Sequence, residues 1–168
     1  NFDTADDVAD GYGSRIRGFV VPSVSGDYQF FIASDDNSQL KFSLNTNPAS
    51  ATVIASVTGW TAANEWSKYT SQASAVQSLV AGQRYYIEAL QKDGGGGDNV
   101  SVGWLVPGSG VTNVIPAANL LTLDIGVAPT FANQTIGMLQ GVASGAVVGR
   151  VAAVDSPLEN LTFKILSG

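Results

Sequence analysis

No stretch of this chain sustains a 3.6-residue apolar period with caps at both ends, and this leaves strands as its building material. The apolar residues come in short β-branched and aromatic runs, each closed by Gly, Pro, Asn or Asp. Arg15 to Val21 stops at Pro22, Ser25-Gly26-Asp27 turns the chain, and Tyr28 to Ala33 follows. Further runs cover Gln39 to Leu44, Thr52 to Val57, Val76 to Val80, Arg84 to Gln91 and Val100 to Val106. Ala62 to Lys68 has room for one helical turn. The pattern predicts an all-β fold, an antiparallel β-sandwich.

The character of the sequence changes after Leu123. Residues 1–123 read as one domain, 124–129 as a linker ending at Ala128-Pro129, and 130–168 as the start of a second alternating unit. An immunoglobulin-type sandwich takes ~100 residues. The second unit is therefore expected to be incomplete within this sequence.

Composition removes whole classes of chemistry. Without Cys or His there is no thiolate or imidazole, which excludes ordinary zinc sites, thiol catalysis and Ser/His/Asp triads. What remains is oxygen-ligand chemistry, suited to hard cations such as Ca²⁺ or Mg²⁺. A net charge of −6 argues against nucleic acid, whose affinity comes from Lys and Arg on phosphates. No apolar run approaches the ~20 residues of a membrane helix, and no leader peptide opens the chain. Membrane insertion is not expected, and any secretion signal would lie outside this sequence. Low charge density, many small polar residues and the acidic balance point to an extracellular or cell-surface location.

Two loops concentrate the oxygen ligands. One is Ser34-Asp35-Asp36-Asn37; the other is Asp93-Gly94-Gly95-Gly96-Gly97-Asp98-Asn99. Neighbouring side chains of an extended trans segment point to opposite faces, so adjacent acids do not ordinarily grip one ion. A cis bond would bring both carboxylates to one side; otherwise the pair is an exposed turn whose Asp and Asn bond their own backbone. The glycine run likewise has two readings. It is either a flexible hairpin tip, or a cradle in which carbonyls of Gly95, Gly96 and Gly97 and oxygens of Asp98 or Asn99 surround Ca²⁺. No Lys-Ser/Thr follows and no helix begins after it, so it is not a phosphate loop.

Five motifs in order then carry a resemblance. Tyr12-Gly13-Ser14-Arg15-Ile16-Arg17-Gly18, Gly26-Asp27-Tyr28-Gln29-Phe30, Ser34-Asp35-Asp36-Asn37, Leu79 to Glu88 and Gly97-Asp98-Asn99-Val100-Ser101-Val102-Gly103-Trp104 resemble the PA-fourteen family. This is the β-sandwich named after anthrax protective antigen and found in fungal flocculins, bacterial adhesins and some glycosidases. The resemblance spans roughly residues 12–120. Family members usually have a strand upstream of the first motif, where this sequence has only Asn1 to Gly11, so the domain is expected to lack its amino-terminal part. It implies a calcium site in the tip loops, with Asp35 and Asp36 joined by a cis peptide on the ion. It also implies that vicinal sugar hydroxyls replace metal-bound water. The tail from Ala128 resembles the opening of a cadherin-like repeat, although Asp155-Ser156-Pro157 lacks the second acid of the usual calcium motif.

The expectation is thus a calcium-dependent carbohydrate-binding domain, a lectin module within a larger multi-domain secreted or surface adhesin. Asp35, Asp36, Gly95, Gly96, Gly97, Asp98 and Asn99 are the expected metal site. Asp35, Asp36, Asp98 and Trp60 are the expected sugar contacts. Trp66, Tyr69 and Trp104 are further aromatic candidates, Trp104 being placed in the core by its alternating strand. A glycosidase needs two carboxylates ~5–9.5 Å apart in a cleft, and Asp27, Glu65, Glu88 and Asp93 form no such constellation in sequence; no enzyme is expected. A calcium-rigidified spacer without sugar binding is the alternative.

Overall fold

A computed structural model describes residues 1–123. The linker and cadherin-like readings of 124–168 lie outside the described residues. The described unit, Asn1–Leu123, contains nine strands: β1 Gly13–Val20, β2 Gly26–Asp35, β3 Asn37–Phe42, β4 Thr52–Val57, β5 Gln77–Leu79, β6 Tyr85–Lys92, β7 Asn99–Leu105, β8 Thr112–Val114 and β9 Leu120–Thr122. They form two antiparallel sheets, one in the order β4-β3-β6-β1-β9 and one in the order β5-β2-β7-β8. The fold is the expected all-β sandwich. All seven runs read from the sequence are strands; β8 and β9, three residues each, were not foreseen.

Alternation builds the core. Phe30, Ile32, Val100, Val102 and Trp104 of one sheet face Leu40, Phe42, Ala55, Val57, Ile87 and Ala89 of the other, all buried. Phe30 packs on Phe42 across the gap at 4.9 Å between centroids, and Tyr28 on Trp104 at 5.1 Å. Trp104 is 4 % exposed, as its strand position required. Phe2 joins this core, and its segment extends the edge of β7. Thr4 donates its N–H to the Val100 carbonyl, and Val102 donates to that of Phe2.

On the opposite face of the five-stranded sheet, Arg15 and Lys41 converge on buried Glu88 at 2.5 Å and 3.8 Å, and the Tyr86 hydroxyl donates to it. Burial alone would raise that carboxyl. The hydrogen bonds from Tyr86 and Arg15, with the charges of Arg15 and Lys41, outweigh it and hold the group below its ordinary value.

One expectation fails locally. Residues Ala62 to Lys68 make no helical turn: a single β-turn closes with the Glu65 N–H on the Ala62 carbonyl at 3.1 Å. The Glu65 carboxylate accepts the Ala62 N–H at 3.0 Å, and Asn64 takes φ +60°. These local bonds offer the backbone an alternative to helix.

Topology sets the functional end. The β2–β3 and β6–β7 connections each pass from one sheet to the other, and they do so at the same end of the sandwich. Loops more than fifty residues apart in sequence therefore become neighbours.

Candidate functional site

The acid pair sits where β2 leaves its sheet. Ser34, wholly buried, fixes the approach: its N–H donates to Thr61 Oγ1 at 2.8 Å and its carbonyl accepts the Thr61 N–H at 2.7 Å. Its hydroxyl donates to the Asp36 carbonyl at 2.6 Å and shares a hydrogen bond with Ser38 at 2.7 Å. Gln91 of β6 donates its side-chain amide to the Asp35 carbonyl. The Asp35–Asp36 peptide is cis, as the resemblance implied.

The glycine loop lies directly against this pair. Gly94 donates its N–H to Asp36 Oδ2 at 2.8 Å. A Cβ at Gly94 would stand 2.9 Å from that oxygen, and one at Gly97 would stand 3.2 Å from Asp35 Oδ2. Both positions need glycine for close approach. Gly95 and Gly96 need it for another reason: their φ values are +146° and +104°, and a Cβ there would meet nothing. The loop is thus pinned at both ends and open in the middle.

Its flanking residues are less exposed than a loop tip suggests. Asp93 and Asp98 are buried, each 1 % exposed, and both hold the segment from Asp7 to Gly11. Asp98 Oδ2 accepts the N–H groups of Val8 and Ala9 at 2.8 and 2.9 Å, and Asp93 Oδ2 accepts that of Gly11 at 2.7 Å. The Ala9 amide lowers the Asp98 carboxyl against burial, with Val8 adding to it. Asp10 reaches back and accepts the Gly96 N–H at 3.1 Å. These latches were not read from the sequence; the signal was the run of four acids among the first ten residues.

Asn99 opens β7 directly opposite Asp35 in the register. Its amide nitrogen faces the Thr61 carbonyl at 3.5 Å. Its Oδ1 is buried with no donor, and so are Asp93 Oδ1, Asp98 Oδ1 and Ser101 Oγ. Among the described residues these four orphaned atoms all fall within 93–101. Each such group costs about 1–3 kcal/mol unless something outside the protein satisfies it.

The Asp35 carboxyl is raised by burial first, then by the hydrogen bond and charge of Asp36 and the charge of Asp93; Lys68 opposes them. Lys68 is the second functional neighbour the sequence did not single out. Its Nζ stands 3.1 Å over the ring of Trp60. Trp60 is 54 % exposed and leads directly into Thr61, which brackets Ser34. Trp66 instead covers Gly103, and Tyr69 braces Trp60 through its hydroxyl on the Trp60 carbonyl at 3.3 Å.

The residues therefore fit a hard cation by the nature of their donors: two carboxylates, an unpartnered amide oxygen and a glycine backbone, with no nitrogen or sulfur ligand. Among the described residues no three carboxylates converge closely enough to form a metal site alone. A cation at this tip would need Asn99 and backbone carbonyls to complete its shell.

Comparison with known proteins agrees with the motif order. The PA14 domain model matches residues 3–116. Mouse N-acetyl-beta-glucosaminyl-glycoprotein 4-beta-N-acetylgalactosaminyltransferase 1 is 50% identical over 98 residues, which is 55% of this chain and 10% of that protein. The chain thus spans about a tenth of that relative's length. Among solved structures, an anti-sigma factor domain-containing protein from Clostridium clariflavum superimposes with a TM-score of 0.51 at 25% identity, covering 66% of this chain and 33% of that one. The Epithelial Adhesin 6 A domain from Candida glabrata, solved in complex with Galβ1-3GlcNAc, gives a TM-score of 0.52 at 14% identity over 68% of this chain and 52% of that one. At that identity the likeness speaks for the fold alone. The match over residues 3–116 establishes that the chain belongs to the PA14 domain family.

Proposed function

We propose that residues 1–123 form a calcium-dependent carbohydrate-binding module of a secreted or surface adhesin. The observation that carries this reading is the set of orphaned oxygens at the tip. Asn99, directly opposite Asp35 in the register, has a buried Oδ1 with no donor, and the end glycines of the neighbouring loop press on the Asp36 and Asp35 carboxylates. A buried acceptor kept unsatisfied is costly in the free protein.

Asp35, Asp36 and Asn99 would hold the ion, with carbonyls of Gly95, Gly96 and Gly97 above them. Bound Ca²⁺ supplies open coordination positions that vicinal hydroxyls can take from water. In this reading Asp98, expected from the sequence as a metal and sugar contact, acts from behind instead, its Oδ2 holding the Val8 and Ala9 amides so that the loop keeps its position. Trp60, half exposed with the Lys68 ammonium over its ring, would offer its free surface to the C–H face of a sugar. Asp35 and Asp36 would accept hydrogen bonds from the same hydroxyls.

A shallow tip site buries little of its ligand. Affinity is expected near millimolar, about 4 kcal/mol, so adhesion would draw on many linked copies. The adhesin neighbour crystallised with a disaccharide supports a sugar ligand. The mouse transferase supports a place beside carbohydrate chemistry without making this module the enzyme, because the match covers a tenth of that protein.

A titration of the full chain against common hexoses and deoxyhexoses, followed by chemical shifts with calcium and again with chelator, tests the reading. Shifts at Asp35, Asp36, Asn99 and Trp60 that vanish with chelator are expected. No response at tens of millimolar sugar would replace the lectin with the calcium-rigidified spacer.

A further inference from the structure

The charges of this domain are segregated in a way the acidic tip does not require. Among the described residues six side chains are cationic, and four of them, Arg15, Arg17, Lys41 and Lys92, lie on one face of the five-stranded sheet. Alternation puts them there. Ile16, Val20, Leu40, Ile87 and Ala89 turn to the core, so their neighbours Arg15, Arg17, Lys41, Glu88, Leu90 and Lys92 turn away from it. Of the eleven carboxylates in the same residues, this face holds Glu88 alone, buried and engaged by Arg15, Lys41 and Tyr86. The face is therefore positive by three charges on a chain of net charge −6. A single-sign patch set against the overall charge draws anions to one surface.

The patch also has relief. A hollow of about 420 Å³ opens on it between β3, β4 and β6, walled by Asn37, Gln39, Ser56, Thr58, Leu90 and Lys92. Register sets these residues in rows across the strands. Arg15, Leu90, Gln39 and Ser56 lie side by side; Arg17, Glu88 and Lys41 form the row on one side, and Lys92 with Asn37 the row on the other. Glu88 and Lys92 are four residues, about 14 Å, apart along β6. Cations thus flank the central row from both sides. Arg17 and Lys92 make no ion pair among the described residues.

The lining selects the kind of anion. Among the described residues no carboxylate lines the hollow, so a negative group meets no repulsion there. Gln39, Ser56 and Thr58 present an amide and two hydroxyls, and half-buried Leu90 is the one apolar side chain that alternation points into the space. Amides and hydroxyls beside a small apolar surface suit the alcohol groups and C–H face of a sugar. Bases of a single-stranded nucleic acid would need aromatic platforms, and the aromatic side chains of this face, Phe19 and Tyr86, are buried. An acidic peptide would need a deeper apolar anchor than Leu90. Singly spaced cations among hydroxyls match a polymer whose charges are spread one per ring.

We infer that the outer face of the five-stranded sheet, around Gln39, Ser56, Leu90 and Lys92 and rimmed by Arg15, Arg17 and Lys41, binds an anionic polysaccharide. Carboxylate or sulfate groups on the chain pair with Arg17 and Lys92, and its rings rest over Leu90 between Gln39 and Ser56. This surface is separate from the calcium tip and uses no metal. It gives the module a second, charge-selected hold on a carbohydrate surface.

The test uses the full chain in chelator, at low and at raised salt, with four probes: an oligogalacturonate, a sulfated dextran oligomer, neutral dextran of the same length, and a polyglutamate peptide. At least one anionic oligosaccharide should bind more tightly than the peptide, weaken as salt rises, and leave neutral dextran without measurable binding. Which of the two binds distinguishes a carboxylate from a sulfate source. Arg17→Gln with Lys92→Gln should weaken that binding about tenfold, the combined worth of two exposed ion pairs, and it spares the pairs around Glu88. Gln39→Ala with Ser56→Ala should weaken it further without changing its salt dependence. Amide shifts should move at Gln39, Ser56 and Leu90 and stay fixed at Asp35 and Asp36. Binding that survives the paired charge substitutions, peptide or an oligonucleotide bound more tightly than either oligosaccharide, or no anionic oligosaccharide bound at millimolar concentration overturns the inference. None of these outcomes bears on the tip, whose sugar response is read in calcium.

Discussion

Replacing Asp36 by Asn should change the sign of its effect on stability when calcium is added. Asp36 does two separable things in the structure. Its Oδ2 accepts the Gly94 N–H at 2.8 Å, and its charge lies beside Asp35, whose carboxyl is raised by burial and then by Asp36. Asparagine keeps an oxygen for Gly94 and removes the charge. Two unit charges 4 Å apart interact by about 1 kcal/mol in water and about 4 kcal/mol at an effective dielectric of 20. Both carboxylates are only half-buried, so the lower end applies. Asp36→Asn should stabilise the metal-free protein by about 1 kcal/mol.

Calcium reverses the order. At a hundred times Kd the wild type gains about 2.7 kcal/mol by linkage, whereas a variant bound a hundredfold more weakly gains only about 0.4 kcal/mol. The difference exceeds the relief of repulsion, leaving Asp36→Asn less stable by about 1 kcal/mol. Urea denaturation followed by tryptophan fluorescence, in chelator and in calcium, measures both numbers. Equal destabilisation in both buffers would show that the Asp36 charge neither repels Asp35 in the free protein nor binds the ion. An equal gain from calcium in both proteins would place the ion elsewhere.

Trp104→Ala should cost about 3–5 kcal/mol, since it empties the centre of the inter-sheet core, and calorimetric melting checks it. Trp60→Ala should change stability by no more than about 1 kcal/mol, the worth of an exposed cation–π contact, yet lower sugar affinity in the same titration that measures the wild type. Glu88 supplies the pH dependence. Its folded-state pKa lies below the unfolded value, so its contribution is fully present above the ordinary carboxylate pKa of about 4.3 and is lost as pH falls through the depressed one. Denaturation curves across that range should be flatter for Glu88→Gln than for the wild type.

How far the sequence carried this reading depends on the distance over which its signals act. The long strands were legible because period-2 alternation is local: Val100, Val102 and Trp104 point inward whatever surrounds them. Strands β8 and β9 were not, because three residues cannot display a period, and Thr112–Val114 is a strand only because β7 offers it an edge. Asp35, Asp36 and the glycine loop stood out by composition. Lys68 did not, because its position over Trp60 depends on a turn held by Glu65 on Ala62 and Gln72 on Glu65 and Tyr69. The burial of Asp93 and Asp98 was equally hidden: they bind backbone amides of a segment 82 to 90 residues away.

On the proposed reading, the architecture would separate holding an ion from choosing a ligand. Both crossing connections start and end on paired strands, so the acid pair and the loop ends inherit the rigidity of two sheets. Gln91 ties them at one point, donating to the carbonyls of Asp35 and, at 3.3 Å, Asn99. Gly94 and Gly97 are confined by carboxylates, whereas Gly95 and Gly96 face open space. Substituents at the confined positions would displace the acids themselves. At Gly95 and Gly96 a side chain meets no atom, only the conformational cost of φ +146° or +104°. On that reading ligand choice can vary with the middle of the loop and with Trp60, while the oxygens around Asp35 and Asp36 stay where the sheets put them.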